Sequence, residues 1–220
     1  WKKKNIGKNW YLGETLHAGI GQGYWQTSPL QLCLMTAQIA NGGYKIKPRI
    51  ILNKEEENEF LDLDQFIEDK KAFSDDVVTL YEFIAKFKYK SLFKNPENIK
   101  FVQEALFGAT NEPGGTSYGS RLREKEFIFA GKTGTSQVKR FTERQRELEI
   151  KNEDLPYKDR DHALFVAFAP YEDPRYSISV VVEHGGSGSK SAAPIAKKVI
   201  KKVLEKHHLR ESKREQGESA

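Results

Sequence analysis

Residues 163–169 read Ala-Leu-Phe-Val-Ala-Phe-Ala, an apolar run with no polar position in it. Too short for a buried helix and lacking the alternation of a half-exposed strand, the run fits a strand covered on both faces. Pro170-Tyr171-Glu172-Asp173-Pro174 then turns the chain. Beyond it Tyr176, Ile178, Val180 and Val182 alternate with Ser177 and Ser179, the pattern of a half-buried partner strand. Gly185-Gly186-Ser187-Gly188-Ser189 ends that strand. Upstream, Phe127 to Ala130 predicts a third strand, running into Gly131-Lys132-Thr133-Gly134-Thr135. The short connection favours antiparallel pairing. Downstream, Ile195, Ala196, Val199, Ile200, Val203 and Leu204 form a helical stripe that needs a sheet to cover. An antiparallel sheet with packed helices, an α+β fold, is the expected architecture.

The first half of the chain reads as helical. Residues 1–27, rich in Gly and aromatics, read as an ordered loop. Thr27 or Ser28 caps a helix with Pro29 at its first position, continuing through Leu30, Leu34, Ala37 and Ile39 until Asn41-Gly42-Gly43 stops it. Tyr44 to Leu52 reads as a strand or extended segment. Residues 53–95 are charged with helical periodicity; Ser74 caps a helix carrying Val77, Leu80, Tyr81, Ile84 and Phe87 on one face. Asn95-Pro96 starts another, with Ile99, Val102, Leu106 and Phe107 inward and its end at Gly108. The turn-rich Asn111-Glu112-Pro113-Gly114-Gly115-Thr116 follows. The predicted division is a helix and extended segment over 1–52, a variable helical lobe over 53–110, the sheet and closing helix over 111–206, and a flexible tail over 207–220.

With 220 residues there is room for one domain or a domain with two lobes, and 38% hydrophobic residues provide a core. The net charge of +5 is spread along the chain. Its basic spots, Lys2 to Lys4 and Lys197 to Arg214, read as solvated faces, so no nucleic-acid partner is expected. Cys33, the single cysteine, sits in Leu32-Cys33-Leu34-Met35 and reads as a buried structural thiol. No cluster has metal-ligand spacing, and Asp75-Asp76 reads as charge at a helix N-terminus. His17, His162 and His184 read as structural. No run approaches the ~18 apolar residues of a membrane span, and no signal peptide opens the chain. A start at Trp1 without Met is expected of a piece of a longer chain, with room upstream for an anchor or export signal.

Lys132-Thr133-Gly134-Thr135 carries the sharpest chemistry. A P-loop reading needs Gly five residues before Gly131, but that position is Glu126, and Phe127 to Ala130 between them reads as strand. The alternative is the Lys-Thr-Gly element of serine acyl-transferases that bind β-lactams. A strand-edge lysine supplies positive charge for a substrate carboxylate, and the Thr133 and Thr135 hydroxyls can hydrogen-bond it. Gly134 lets a ligand backbone approach, and the Thr135 N–H is placed to stabilise an oxyanion.

Other segments point the same way. Gly19-Ile20-Gly21-Gln22-Gly23-Tyr24-Trp25, Thr27-Ser28-Pro29-Leu30-Gln31, Ala40-Asn41-Gly42-Gly43, Gly114-Gly115-Thr116, Ala130 to Val138 and Ala167-Phe168-Ala169-Pro170 follow one another in order. Together they resemble the class B penicillin-binding proteins. Arg160-Asp161-His162 and His184-Gly185-Gly186-Ser187-Gly188 resemble the elongation subtype, penicillin-binding protein 2. The likeness spans roughly residues 9–204; residues 53–95 match poorly.

That resemblance implies a peptidoglycan D,D-transpeptidase with the β-lactamase/transpeptidase-like fold, no cofactor and no metal. Lys132 would then be the catalytic residue of this third motif, and Lys132, Thr133, Gly134, Thr135 and Ser136 would face the substrate, with the Thr135 N–H in the oxyanion hole. The implied ligands are peptidoglycan stem peptides and β-lactams. A glycosyltransferase of the elongation machinery is the implied partner, and the periplasmic face of the inner membrane the implied location. The family's Ser-x-x-Lys nucleophile and Ser-x-Asn motif do not precede Lys132 in usable form. Ser91-Leu92-Phe93-Lys94 lies too close to it, Ser187-Gly188-Ser189-Lys190 lies after it, and no Ser-x-Asn occurs. The nucleophile is therefore expected before Trp1, and these 220 residues alone are expected to be inactive. A β-lactam sensor sharing the same strand, and a P-loop-like nucleotide binder, stay open as alternatives. Lys139 to Arg160, long for a strand connection, reads as a mobile helical flap beside the site.

Overall fold

A computed structural model of the chain describes residues 1–48, 92–139, 142–143 and 147–215. Its centre is a three-stranded antiparallel sheet in the order β1-β2-β3, formed by Ala130–Ser136, His162–Ala169 and Tyr176–Val182. The register pairs Ala130 with Phe168 and Ser136 with His162 across β1 and β2. Across β2 and β3 it pairs Ala163 with Val182 and Ala169 with Tyr176.

Helices cover both faces. On one, Ala163, Phe165, Ala167 and Ala169 of β2 pack against Ala192, Ala193, Ala196, Ile200 and Leu204 of the C-terminal segment. Alanines on both sides let that helix (Ala193–Glu215) approach closely, and Phe165 fills the remaining depth, edge-on to Phe129 at 6.3 Å. On the other face, Phe168 and Ala130 meet Ala40, Leu106, Phe107 and Tyr171. These come from α3 (Pro29–Ala40), α4 (Pro96–Asn111) and the β2–β3 turn. Burying Phe165 and Phe168 contributes about 2–3 kcal/mol each, so the middle strand anchors both layers. The expected α+β class is the observed one.

The predicted caps form. Ser28 Oγ accepts from the Gln31 N–H and Gln31 Oε1 accepts from the Ser28 N–H, a reciprocal pair in front of Pro29 that stabilises α3 by about 1 kcal/mol. Asn95 Oδ1 accepts from the Glu97 N–H at the start of α4.

Several expectations need correction. Residues 1–27 hold two short helices, α1 (Lys2–Ile6) and α2 (Leu12–Gly19), rather than only a loop. Glu14 fastens them, capping the Tyr11 N–H and pairing with Lys2. Helix α4 passes through Gly108 to Asn111, whose amide donates to the Phe107 and Phe129 carbonyls and ties the last turn to the sheet. On α4 the inward stripe is Ile99, Gln103, Leu106, Phe107 and Thr110, while Val102 is 36% exposed. Gln103 takes the inward place by donating to the Ile39 and Ala40 carbonyls at the end of α3.

Lys125–Phe127 is a 3-10 turn, and the strand starts only at Ala130, so the Lys-Thr-Gly motif lies inside the strand rather than after it. In the closing helix, here α5, Ile195 and Val199 are 45% and 43% exposed, which narrows the stripe to Ala196, Ile200 and Leu204 with Val203 half-buried. That helix continues to Glu215, where a tail was expected from 207. Cys33 is half-buried, its Sγ 3.1 Å from Ser177 Oγ where α3 crosses β3. The helix expected from Ser74, Asp75-Asp76, Ser91 and most of the 53–95 lobe lie outside the described residues.

Candidate active-site strand

Among the described residues β1 is an edge strand of the sheet, and both its inner flank and its back are fixed. Thr110 Oγ1, fully buried on α4, donates to the Gly131 carbonyl at 3.2 Å. Gly131 has no room for a side chain: a Cβ there would stand 2.6 Å from the Phe165 ring and from the Val166 carbonyl oxygen. Gly188, which opens the π-helical turn Gly188–Ala192 ahead of α5, lies against Gly134 just as tightly. These contacts clamp residues 131–134 between α4 and the start of α5.

Pairing with β2 sets which side chains share a face. Lys132, Gly134 and Ser136 stand opposite Val166, Leu164 and His162; Thr133 and Thr135 stand opposite Phe165 and Ala163. Lys132, Thr135 and Ser136 are exposed, and Thr133 and Gly134 are half-buried. Although Lys132 and Thr133 project to opposite faces, the Lys132 Nζ curls over the strand and donates to the Thr133 carbonyl at 2.9 Å, with Thr133 Oγ1 at 3.5 Å. The ammonium and the hydroxyl thus meet, and a cation beside a hydroxyl donor on an exposed sheet edge is suited to an anionic group. Gly134 has an ordinary backbone conformation, and among the described residues a Cβ there would touch only the Leu164 Cβ, at 3.4 Å. Its lack of a side chain is not demanded by the fold.

Gly114-Gly115-Thr116 was among the segments that resemble the family, but no site role was expected of Thr116. Its Oγ1 accepts from Thr133 Oγ1 at 3.2 Å, so the Gly-Gly-Thr turn after α4 adjoins the motif. The turn signal at 111–116 was legible, but nothing in it indicated contact with a strand seventeen residues on.

Of the other candidates, His162 and His184 lie beside the far end of this strand. His162 Nδ1 accepts from the His184 N–H at 2.9 Å, and the His184 ring, 4.7 Å from it, bonds the Arg160 carbonyl through Nδ1. His17 falls in the last turn of α2. Ser187 Oγ bonds Ser189 Oγ, while Lys190 reaches Glu153 at 3.6 Å, so this Ser-x-x-Lys does not form a serine–lysine pair. The P-loop reading fails on position: Lys132 is within a strand, with no helix N-terminus beginning there for phosphates.

The described part of the expected flap is not helical beyond residue 150. It holds two 3-10 turns, Asn152–Asp154 and Tyr157–Asp159, and is fastened to the sheet. Asp161 accepts from the Val138 N–H, Asn152 Oδ1 accepts from the Asp161 N–H, and Leu155 is buried. Among the described residues no group of three His, Cys, Asp or Glu could hold a metal, and no helix is long and apolar enough to cross a membrane.

Known proteins match this arrangement. The penicillin binding protein transpeptidase domain family matches residues 2–201. Peptidoglycan D,D-transpeptidase MrdA of Salmonella typhimurium is 32% identical over 202 residues, covering 91% of this chain and 28% of its own length. MrdA of Acinetobacter baumannii is 31% identical, over 89% of this chain and 25% of its own. Among solved structures, the Helicobacter pylori penicillin-binding protein PBP2 in complex with MreC superposes with a TM-score of 0.66 at 28% identity, over 93% of this chain and 30% of its own. Pseudomonas aeruginosa PBP2 in complex with WCK 5153 superposes with a TM-score of 0.59 at 29% identity, over 91% of this chain and 34% of its own. The chain thus spans under a third of the curated relatives it matches, and it belongs to the penicillin-binding protein transpeptidase family.

Proposed function

We propose that the whole protein is a peptidoglycan D,D-transpeptidase of the elongation type and that this chain supplies the Lys-Thr-Gly wall of its active site. In the proposed reaction a serine hydroxyl attacks the carbonyl of a D-Ala-D-Ala stem peptide. The bond to the terminal D-Ala breaks, D-Ala leaves with the proton, and an acyl-enzyme forms. An amine of a neighbouring stem peptide then takes the acyl group and frees the serine. In this reading Lys132, Thr133 and Thr135 bind the donor carboxylate, with Gly134 and Ser136 flanking it, and the Thr135 N–H stabilises the oxyanion. The serine lies outside these 220 residues, in keeping with the small share of its relatives that the chain spans.

The observation that carries this reading is the meeting of Lys132 and Thr133 at an exposed sheet edge, in a chain matching the family from residue 2 to 201. The proposal extends to the periplasmic face of the inner membrane and to an elongation glycosyltransferase as partner. An MreC-type scaffold is a second proposed partner, since the H. pylori relative is described in complex with MreC. The test uses the complete protein with a fluorescent penicillin and, separately, a lipid-linked peptidoglycan pentapeptide. Covalent labelling together with cross-linking and D-Ala release is the expected result. Labelling without cross-linking would instead mark a β-lactam sensor, and no labelling would end the proposal.

A further inference from the structure

A Thr133 hydroxyl has one proton, and in the structure it is already given away: Thr133 Oγ1 donates to Thr116 Oγ1 at 3.2 Å. The Lys132 ammonium, 3.5 Å from the same oxygen, only donates, which leaves the Thr133 proton to face Thr116. For Thr133 to donate to a carboxylate, that bond must reverse. We propose that Thr116 is a positioning residue of the active site: in this arrangement it accepts from Thr133, and it donates to Thr133 once a carboxylate is bound. Thr133 then directs its own proton, together with Lys132, at the ligand. Thr116 and Thr133 then form a chain of hydroxyl donors that ends on the carboxylate, in which each bond polarises the next. The inference rests on the transpeptidase reading above.

Thr116 is placed for this by its neighbours rather than by its own packing. Gly115 presses on the last turns of α4 so closely that a Cβ would stand 2.6 Å from the Gly108 and Ala109 carbonyl oxygens. On its other side Ser117, 2% exposed, gives both its N–H and its Oγ–H to the Ala109 carbonyl at 3.0 Å. The Ser117 hydroxyl also lies 3.3 Å from the Thr110 hydroxyl, which holds the Gly131 carbonyl of β1. Thr116 is therefore fixed relative to β1 through buried groups, while its own side chain stays exposed. A hydroxyl held this way costs little reorganisation when it switches from acceptor to donor.

The test is the second-order rate of acylation of the complete protein by a fluorescent penicillin. Thr116→Val, which keeps the shape and removes the hydroxyl, should slow it about three- to tenfold, the loss expected for one neutral hydrogen bond. Thr116→Ser should restore it to within about twofold. In a Thr133→Val background, Thr116→Val should cause no further loss, an outcome that a merely structural role would not give. Should the Val side chain lower the melting temperature, Thr116→Ala carries the same three expectations. A Val variant as fast as the parent, a Ser variant as slow as Val, or equal losses with and without the Thr133 hydroxyl would each overturn the assignment of Thr116. A parent protein that is not acylated would overturn the transpeptidase reading instead.

Discussion

Gly188 rests on Gly134 backbone to backbone: a Cβ added to Gly188 would stand 2.7 Å from the Gly134 carbonyl oxygen and 2.5 Å from that of Leu164. Neither oxygen belongs to a flexible side chain, so the clash cannot be relieved locally. Gly188→Ala should lift the start of α5 from the sheet and cost about 1–3 kcal/mol. For a chain of this size the melting temperature should fall by roughly 2–12 °C, which differential scanning calorimetry reads directly. An unchanged melting temperature would mean that the contact relaxes freely and that β1 is not clamped from behind.

Gly134 should behave in the opposite way. Among the described residues its added Cβ meets only Leu164, at ordinary contact distance, and its backbone is not left-handed. Gly134→Ala should therefore hold the melting temperature to within a few degrees, since replacing a strand glycine reduces unfolded-state entropy. Acylation of the complete protein should nonetheless slow at least about tenfold, because the methyl group occupies the approach of a ligand backbone. Loss of stability at normal acylation would assign Gly134 to the fold and remove it from the site.

Lys132 separates binding from packing. Exposed and, among the described residues, bonded only to groups of its own strand neighbour Thr133, it contributes little to the core. Lys132→Ala in the complete protein should leave the circular dichroism melt unchanged. Penicillin acylation should slow by about ten- to a hundred-and-fifty-fold, the equivalent of losing ~1.5–3 kcal/mol from a charged donor. Equal acylation rates would show that this lysine does not meet the carboxylate.

How far the sequence spoke depended on whether the information was local. The β2 run, the β3 alternation and the Ser28-Pro29 cap are patterns of neighbouring residues, and each became the element it indicated. The inward face of α4 was misjudged at Val102 because Gln103 is satisfied by carbonyls of α3, sixty-odd residues away. The start of β1 was misjudged because pairing begins at Ala130, opposite Phe168, a long-range partner that the apolar run before Gly131 does not reveal. The motif residues were legible as chemistry. Their clamp by Thr110 and Gly188, and the Thr116 bond to Thr133, are long-range contacts with no periodic signature.

The N-terminal helices offer a pH test independent of the proposed activity. Lys2 is 6% exposed, and its Nζ bonds both Glu14 carboxylate oxygens, at 2.5 and 2.6 Å, and the Asn9 carbonyl, with the Tyr11 ring 4.4 Å away. The Lys2 hydrogen bond, seconded by the Tyr11 N–H, holds the Glu14 carboxyl below its ordinary value of 4.5. A carboxyl that binds its proton less tightly in the folded state stabilises the fold fully above its ordinary value. That contribution disappears as the pH falls through the lowered one, when Lys2 is left beside an uncharged partner. The three tryptophans, Trp1, Trp10 and Trp25, all lie in this segment, and Trp10 donates to Thr15 Oγ1 on α2. Tryptophan emission of the 220-residue chain should therefore stay constant from neutral pH to near 4.5 and change below it. Glu14→Gln, which keeps a carbonyl for the Tyr11 N–H but no charge, should show altered emission already at neutral pH and no acid step. An acid step that survives the substitution would place the titrating group elsewhere.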